Sequence, residues 1–116
     1  MALQGNELMI GNYFLSPIGK VQRLSSIWQR DEAEWWGSDE DKAHFELNTR
    51  NPIQLTPEII NSIKPNLSDY GYVQKWTIIR RLEIKIGYSY ITTIQFLHEY
   101  QNIYFALVKG KLNYTP

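Results

Sequence analysis

The sequence predicts an α+β protein in which an antiparallel sheet packs against one long C-terminal helix. Three observations support this. Residues 94–109 place apolar side chains at helical spacing, residues 82–86 (Leu-Glu-Ile-Lys-Ile) alternate strictly, and two apolar-rich runs flank a Pro/Gly turn near the start. At 116 residues the chain is expected to be a single domain, 1–116, able to bury roughly two-thirds of its unfolded surface without a disulfide or metal staple.

Residues 8–15 are apolar and aromatic, interrupted by Gly11-Asn12, and read as a strand bent at the glycine. Ser16-Pro-Ile-Gly19 is a turn, because Pro presets one φ and Gly tolerates a positive one. Residues 20–28 follow as a second strand with Leu24, Ser26 and Trp28 on one face and Val21, Arg23, Ser25 and Ile27 on the other. The two strands make a hairpin, and the first half has the pattern of a sheet that curls like a small SH3-type barrel. Residues 29–42 hold six of the twelve acids together with Trp35-Trp36-Gly37 and read as a solvated loop. Residues 43–47 form a short strand with Phe45 and Leu47 inward and His44 and Glu46 outward. Ile53 and Leu55 add a last short one.

A helix over 57–63 is announced by Thr56 as N-cap, Pro57 at the first helical position and Glu58 near the positive helix end. Lys64-Pro65 stops it. Residues 65–71 are a polar connector and the one internal boundary the composition offers. Residues 73–79 and 82–86 are strands with Arg80-Arg81 at or near the reversal. Gly87 breaks the run, and residues 88–92 form a third strand. The final helix is expected to start at Thr92 or Thr93. Phe96, Leu97, Tyr100, Ile103, Tyr104, Leu107 and Val108 share one arc, and Gly110 follows as the C′ residue after Lys109. Phe105 falls off that arc beside His98 and Gln101. It is expected to pack under a neighbouring loop; exposed, it would anchor a partner or a second copy of the chain.

Twelve acids balance twelve bases, but unevenly. Residues 1–63 carry nine acids and five bases, and residues 64–116 carry three acids and seven bases. A zero total argues against broad coating of nucleic acid while leaving room for a local basic face. There is no cysteine, so disulfides, thiolate metal sites and a Cys nucleophile are excluded. The start lacks the basic and apolar regions of a signal peptide, and no run approaches the ~20 apolar residues of a membrane span, so a soluble cytoplasmic chain is expected.

The chemistry-bearing residues are few. His44 and His98 are the only histidines, and His98-Glu99 lacks the second histidine of a zincin helix, so no metal and no cofactor are expected. His98 reads as a helix-surface residue. No G-x-S-x-G, P-loop or dinucleotide fingerprint is present, so an enzyme is not expected. Two surfaces remain. Asp31, Glu32, Glu34, Asp39, Glu40 and Asp41 surround Trp35 and Trp36, the pattern of an aromatic anchor within steering charge. Lys75, Arg80, Arg81 and Lys85, with Trp76, Tyr88 and Tyr90, could instead track a phosphate backbone and stack bases.

The run Leu97-His-Glu-Tyr-Gln-Asn-Ile-Tyr-Phe-Ala-Leu107, ending Gly110-Lys-Leu112, resembles the tail L-H-E-L-Q-N-L-Y-F-A-L-T-G-K-E-L of a family of small uncharacterised Bacteroidetes phage and prophage proteins. Pro52-Ile-Gln-Leu-Thr-Pro-Glu-Ile59 is similar to that family's P-I-P-L-T-E-E-x segment, and Leu8-Met-Ile-Gly-Asn-Tyr-Phe14 is similar to its first strand. The chain departs from the family in the acidic Trp-bearing stretch and in Val108-Lys109, where the family has a single Thr. The resemblance implies a mobile-element origin and action in the cytoplasm of a bacterial host, without catalytic residues to carry over. The combined expectation is a non-enzymatic, anti-CRISPR-like inhibitor of a host defence system. Its partner would be a host protein such as a nucleic-acid-processing defence effector. The rivals are a small RNA/DNA-binding module using the basic sheet face, and a virion component.

Overall fold

Strand alternation and helix capping set the architecture of the computed structural model, which describes residues 8–32 and 34–115. The leader-free start read from residues 1–7 lies outside the described residues. The fold is α+β: antiparallel strands with one long C-terminal helix. The chain forms two compact units, Met1–Ile53 and Gln54–Pro116. Residues 65–71, the expected boundary, instead lie within the second.

In the first unit β1 (Tyr13–Leu15) pairs antiparallel with β2 (Val21–Arg23) around the Ser16–Lys20 turn. Gly19 there takes φ +83, and the Gly19 N–H donates to the Ser16 carbonyl at 2.9 Å. The strand expected over 8–15 is cut to three residues because Gly11, at φ +95, turns the chain before it. The second expected strand is likewise broken at Leu24-Ser25, and its remainder extends into β3 (Ser26–Asp31).

The largest correction follows. The expected loop over 29–42 contains β4 (Glu34–Ser38), which is the central strand of the sheet β3-β4-β5, with β5 at His44–Glu46. Its hydrogen bonds are made to strands on both sides, a non-local stabilisation that polar composition does not reveal. The two sheets of this unit are separate, so its strands do not run in one closed barrel ladder. Leu8, Phe14, Leu24, Phe45 and Leu47 form its core, with Ile27 and Trp35 packed against them. Phe14 and Phe45 meet at a ring separation of 5.3 Å.

In the second unit α1 (Pro57–Ser62) starts as expected, with the Thr56 hydroxyl accepting from the Ile59 N–H at 3.2 Å. Thr56→Ala is expected to cost about 1 kcal/mol in urea unfolding, and Thr56→Ser to recover most of it. The connector is a 3-10 turn, Leu67–Tyr70, closed by reciprocal Asn66 and Asp69 bonds and anchored by the fully buried Leu67. No strand forms at Ile53 and Leu55; both are buried, and between them Gln54 makes only an isolated bridge to Phe96.

Strands β6 (Tyr72–Trp76), β7 (Leu82–Ile86) and β8 (Ser89–Ile94) form a meander in that order. The alternation in β7 holds over Leu82 and Ile84, which are buried while Glu83 and Lys85 face the other way, but Ile86 at the end of the strand is exposed. Helix α2 spans Leu97–Val108 and begins later than Thr92 or Thr93 because those residues stay in the ladder with β7. Its start is secured by Glu99, whose Oε1 accepts from the N–H groups of Phe96 and Gln95 at 2.9 and 3.1 Å. At its far end Lys109, at φ +62, takes the left-handed position expected of Gly110.

The apolar arc is present, with Leu97, Tyr100 and Tyr104 buried. His98, however, is buried and stacks on Phe96 at 5.8 Å, so it is not a helix-surface residue. Phe105 does not pack under a loop but stays 48% exposed. The Tyr100 hydroxyl accepts from the Leu67 N–H at 3.0 Å and donates to Gln74 Oε1. No helix among the described residues is long and apolar enough to cross a membrane.

Candidate functional site

Cross-strand register divides the β3-β4-β5 sheet into two faces. Ile27, Gly37 and Phe45 lie in one row, with Trp35 on the same side toward the core. Gly37 is required there, because a Cβ would sit 2.7 Å from Leu24 Cδ1 and 3.1 Å from the Ser26 carbonyl oxygen. The opposite face carries Trp28, Trp36 and Glu46 in one row and Ser26, Ser38 and His44 in the next. Adjacent residues of a strand point to opposite sides. Trp35 and Trp36, expected to act together, therefore have different jobs: Trp35 packs the core and Trp36 forms part of the outer surface.

That outer face is organised around two indoles. Trp36 Nε1 donates to Glu34 Oε1 at 2.6 Å, and the Arg30 guanidinium lies 4.8 Å from its ring centre. The Trp28 ring meets His44 edge-on at 5.1 Å. Both tryptophans remain half-buried. Acids stand at both ends of β4. Asp31, the last residue of β3, and Glu32, in the β3–β4 turn, are exposed, the Gln29 amide holding the Glu32 carbonyl at 2.8 Å, and Glu40 and Asp41 are exposed in the β4–β5 turn.

Asp39 is the exception among the acids. It is buried, and its Oδ1 accepts from the Asp41 and Ala43 N–H groups at 2.9 and 3.1 Å while its Oδ2 accepts from Gln22 Nε2 at 2.7 Å. Gln22 Oε1 in turn accepts from Arg50 Nε at 2.9 Å, and Arg50 covers the Phe45 ring at 4.3 Å. Burial lowers the Arg50 pKa from its usual value, against the opposing pull of Asp39. Asp39 thus ties the turn to β2 and is not available to a partner.

The second unit treats the expected basic face differently. Lys75 and Lys85 lie on the outer side of the meander, but Glu83 stands directly across from Lys75 and pairs with Lys85 at 3.1 Å. Trp76 points to the other side, in register with Leu82. Arg80 and Arg81 are exposed in the β6–β7 turn, and Tyr88 and Tyr90 are exposed at and beyond the β7–β8 turn. Lys75, Trp76, Arg80, Arg81 and Lys85 are therefore not gathered on one face. On α2, buried His98 and exposed Phe105 do not form a common patch with half-buried Gln101.

Sequence reasoning missed Trp28, His44 and Glu46 as neighbours of Trp36. The available signal was the shared parity of Trp28 with Ser26 and of His44 with Glu46, which could be joined only once residues 34–38 were known to be a strand. No protein-family model, curated protein or solved structure matches the chain.

Proposed function

We propose that this chain is a non-enzymatic binding protein that docks on a partner protein through the outer face of β3-β4-β5. The observation that supports this reading most is the pair Trp28 and Trp36, half-buried side by side on one sheet face, with exposed acids at both ends of the central strand. Rigid indoles on a sheet make anchors with little side-chain entropy to lose, and acids at the border steer a basic partner into place. Residues 1–53 carry eight acids and five bases, so the unit that bears this face is also the acidic one. The resemblance to phage and prophage proteins directs the proposal to a host defence effector, and a defence nuclease presents a basic nucleic-acid groove of the right sign.

Binding of the purified chain to defence nucleases, and inhibition of their cleavage, tests this. Trp28→Ala and Trp36→Ala should each weaken binding about 30-fold, with Tm nearly unchanged. Trp35→Ala should lower stability by about 2 kcal/mol instead. Unchanged affinity in both outer variants would remove the proposal. Binding of bare RNA or DNA that falls steeply with salt would favour the nucleic-acid module. The Glu83–Lys85 pair in the middle of that module's sheet face counts against it.

A further inference from the structure

The β6–β7 turn combines features that the proposed docking face does not use. Ile78 is fully exposed at 102% and Ile79 is 65% exposed, and they are followed at once by exposed Arg80 and Arg81. Folding normally hides two adjacent isoleucines; here they form the outermost point of a hairpin. The turn is tightly built: the Thr77 N–H donates to the Arg81 carbonyl at 2.8 Å, the Arg80 N–H to the Thr77 carbonyl at 3.0 Å, and the Arg81 N–H to the Thr77 hydroxyl at 3.2 Å. These bonds fix the shape of the turn and hold the Thr77, Arg80 and Arg81 donors within it, leaving Ile78 and Ile79 at its tip. Arg80 sits at φ +60, a conformation that glycine or asparagine adopts more readily. A cation is thus held at the turn where a neutral residue would fit with less strain.

We propose that this tip is a contact site for an anionic phospholipid surface, with Ile78 and Ile79 entering the acyl boundary and Arg80 and Arg81 meeting the headgroup phosphates. An apolar point backed by cations matches the layering of such an interface. A nucleic-acid duplex fits less well. It would have to unstack base steps to receive the isoleucines, and the adjoining face offers few phosphate contacts because Glu83 occupies its centre. The inference is independent of the docking role assigned to β3-β4-β5.

The test uses the full chain and vesicles of phosphatidylglycerol mixed equally with phosphatidylcholine, against phosphatidylcholine alone. The chain has no cysteine, so Ile79→Cys carries a single environment-sensitive dye. Co-sedimentation and a blue shift on the anionic vesicles only, weakened by salt, are expected. Arg80→Asn combined with Arg81→Gln should lower partitioning by about 25-fold, at roughly five-fold per arginine. Ile78→Asn should lower it about 30-fold. Asparagine suits the positive φ at position 80, and thermal melts should show both variants folded. Partitioning that is absent, indifferent to lipid charge or unchanged in folded tip variants would overturn the proposal, as would capture by duplex DNA in place of vesicles.

Discussion

Asp39→Ala is expected to destabilise the first unit by about 3 kcal/mol, the largest effect of any acid in its acidic stretch. The carboxylate accepts three hydrogen bonds, from Asp41 N–H, Ala43 N–H and Gln22 Nε2, while buried. Bonds to an ionised acceptor are the stronger kind, and deleting the acceptor leaves its donors without it. The two turn amides can regain water, which holds the cost near 3 kcal/mol. Asp39→Asn separates charge from geometry. Its carbonyl can still serve the turn, but its NH₂ would face the Gln22 NH₂; flipping Gln22 would then withdraw the oxygen that Arg50 uses. The asparagine variant should therefore lose about 1–2 kcal/mol. Urea unfolding of both variants beside Glu40→Ala and Asp41→Ala checks this. A loss for Asp39→Ala no greater than for its exposed neighbours would show the turn to be held by something else.

Tyr100→Phe should cost the second unit about 2–3 kcal/mol and change its response to alkali. The hydroxyl is the acceptor for the buried Leu67 N–H and the donor to Gln74 Oε1, so its removal leaves two groups without partners. Burial also pushes the Tyr100 phenol above its ordinary range. It pushes Tyr104 up to about 12, with a contribution from its hydrogen bond to Tyr70. In the unfolded chain both ionise near the ordinary value of about 10. The folded form keeps its protons longer, so this contribution to stability is complete below about pH 10 and is lost as the pH rises through about 12. Denaturation at pH 8 and at pH 11 should show a steep loss in the wild type and a shallower one in Tyr100→Phe. Equal slopes would mean that Tyr100 contributes nothing to the alkaline transition.

Local signals in the sequence suffice where local chemistry decides. Thr56-Pro57-Glu58 opens α1 because a hydroxyl cap and a proline act within one turn, and Leu82–Ile86 is a strand whose alternation places Leu82 and Ile84 in the interior. Errors arose where a distant partner decides. Residues 34–38 carry the composition of a loop, yet they gain ladder bonds from β3 and β5. A helical wheel places the start of α2 too early because it cannot show that Thr92 and Thr93 are engaged by β7. His98 looked polar-sided on the same wheel and is buried in the first turn of the helix. At the candidate site the residue types were legible, but the partition was not: Trp35 and Asp39 serve the interior, while Trp28 and His44 join Trp36 across strands.

The parity of β4 has a consequence for how this surface could be retargeted. Positions 35 and 37 are committed to the interior, where even a methyl group on Gly37 meets Leu24, while positions 34 and 36 look away from it. Variation confined to the even-numbered sites, and to the matching sites 28 and 46, would diversify recognition while leaving the folding determinants untouched. A randomised library at those four positions should consequently return mostly folded members with divergent affinities, whereas one at 35 and 37 should return mostly unfolded chains.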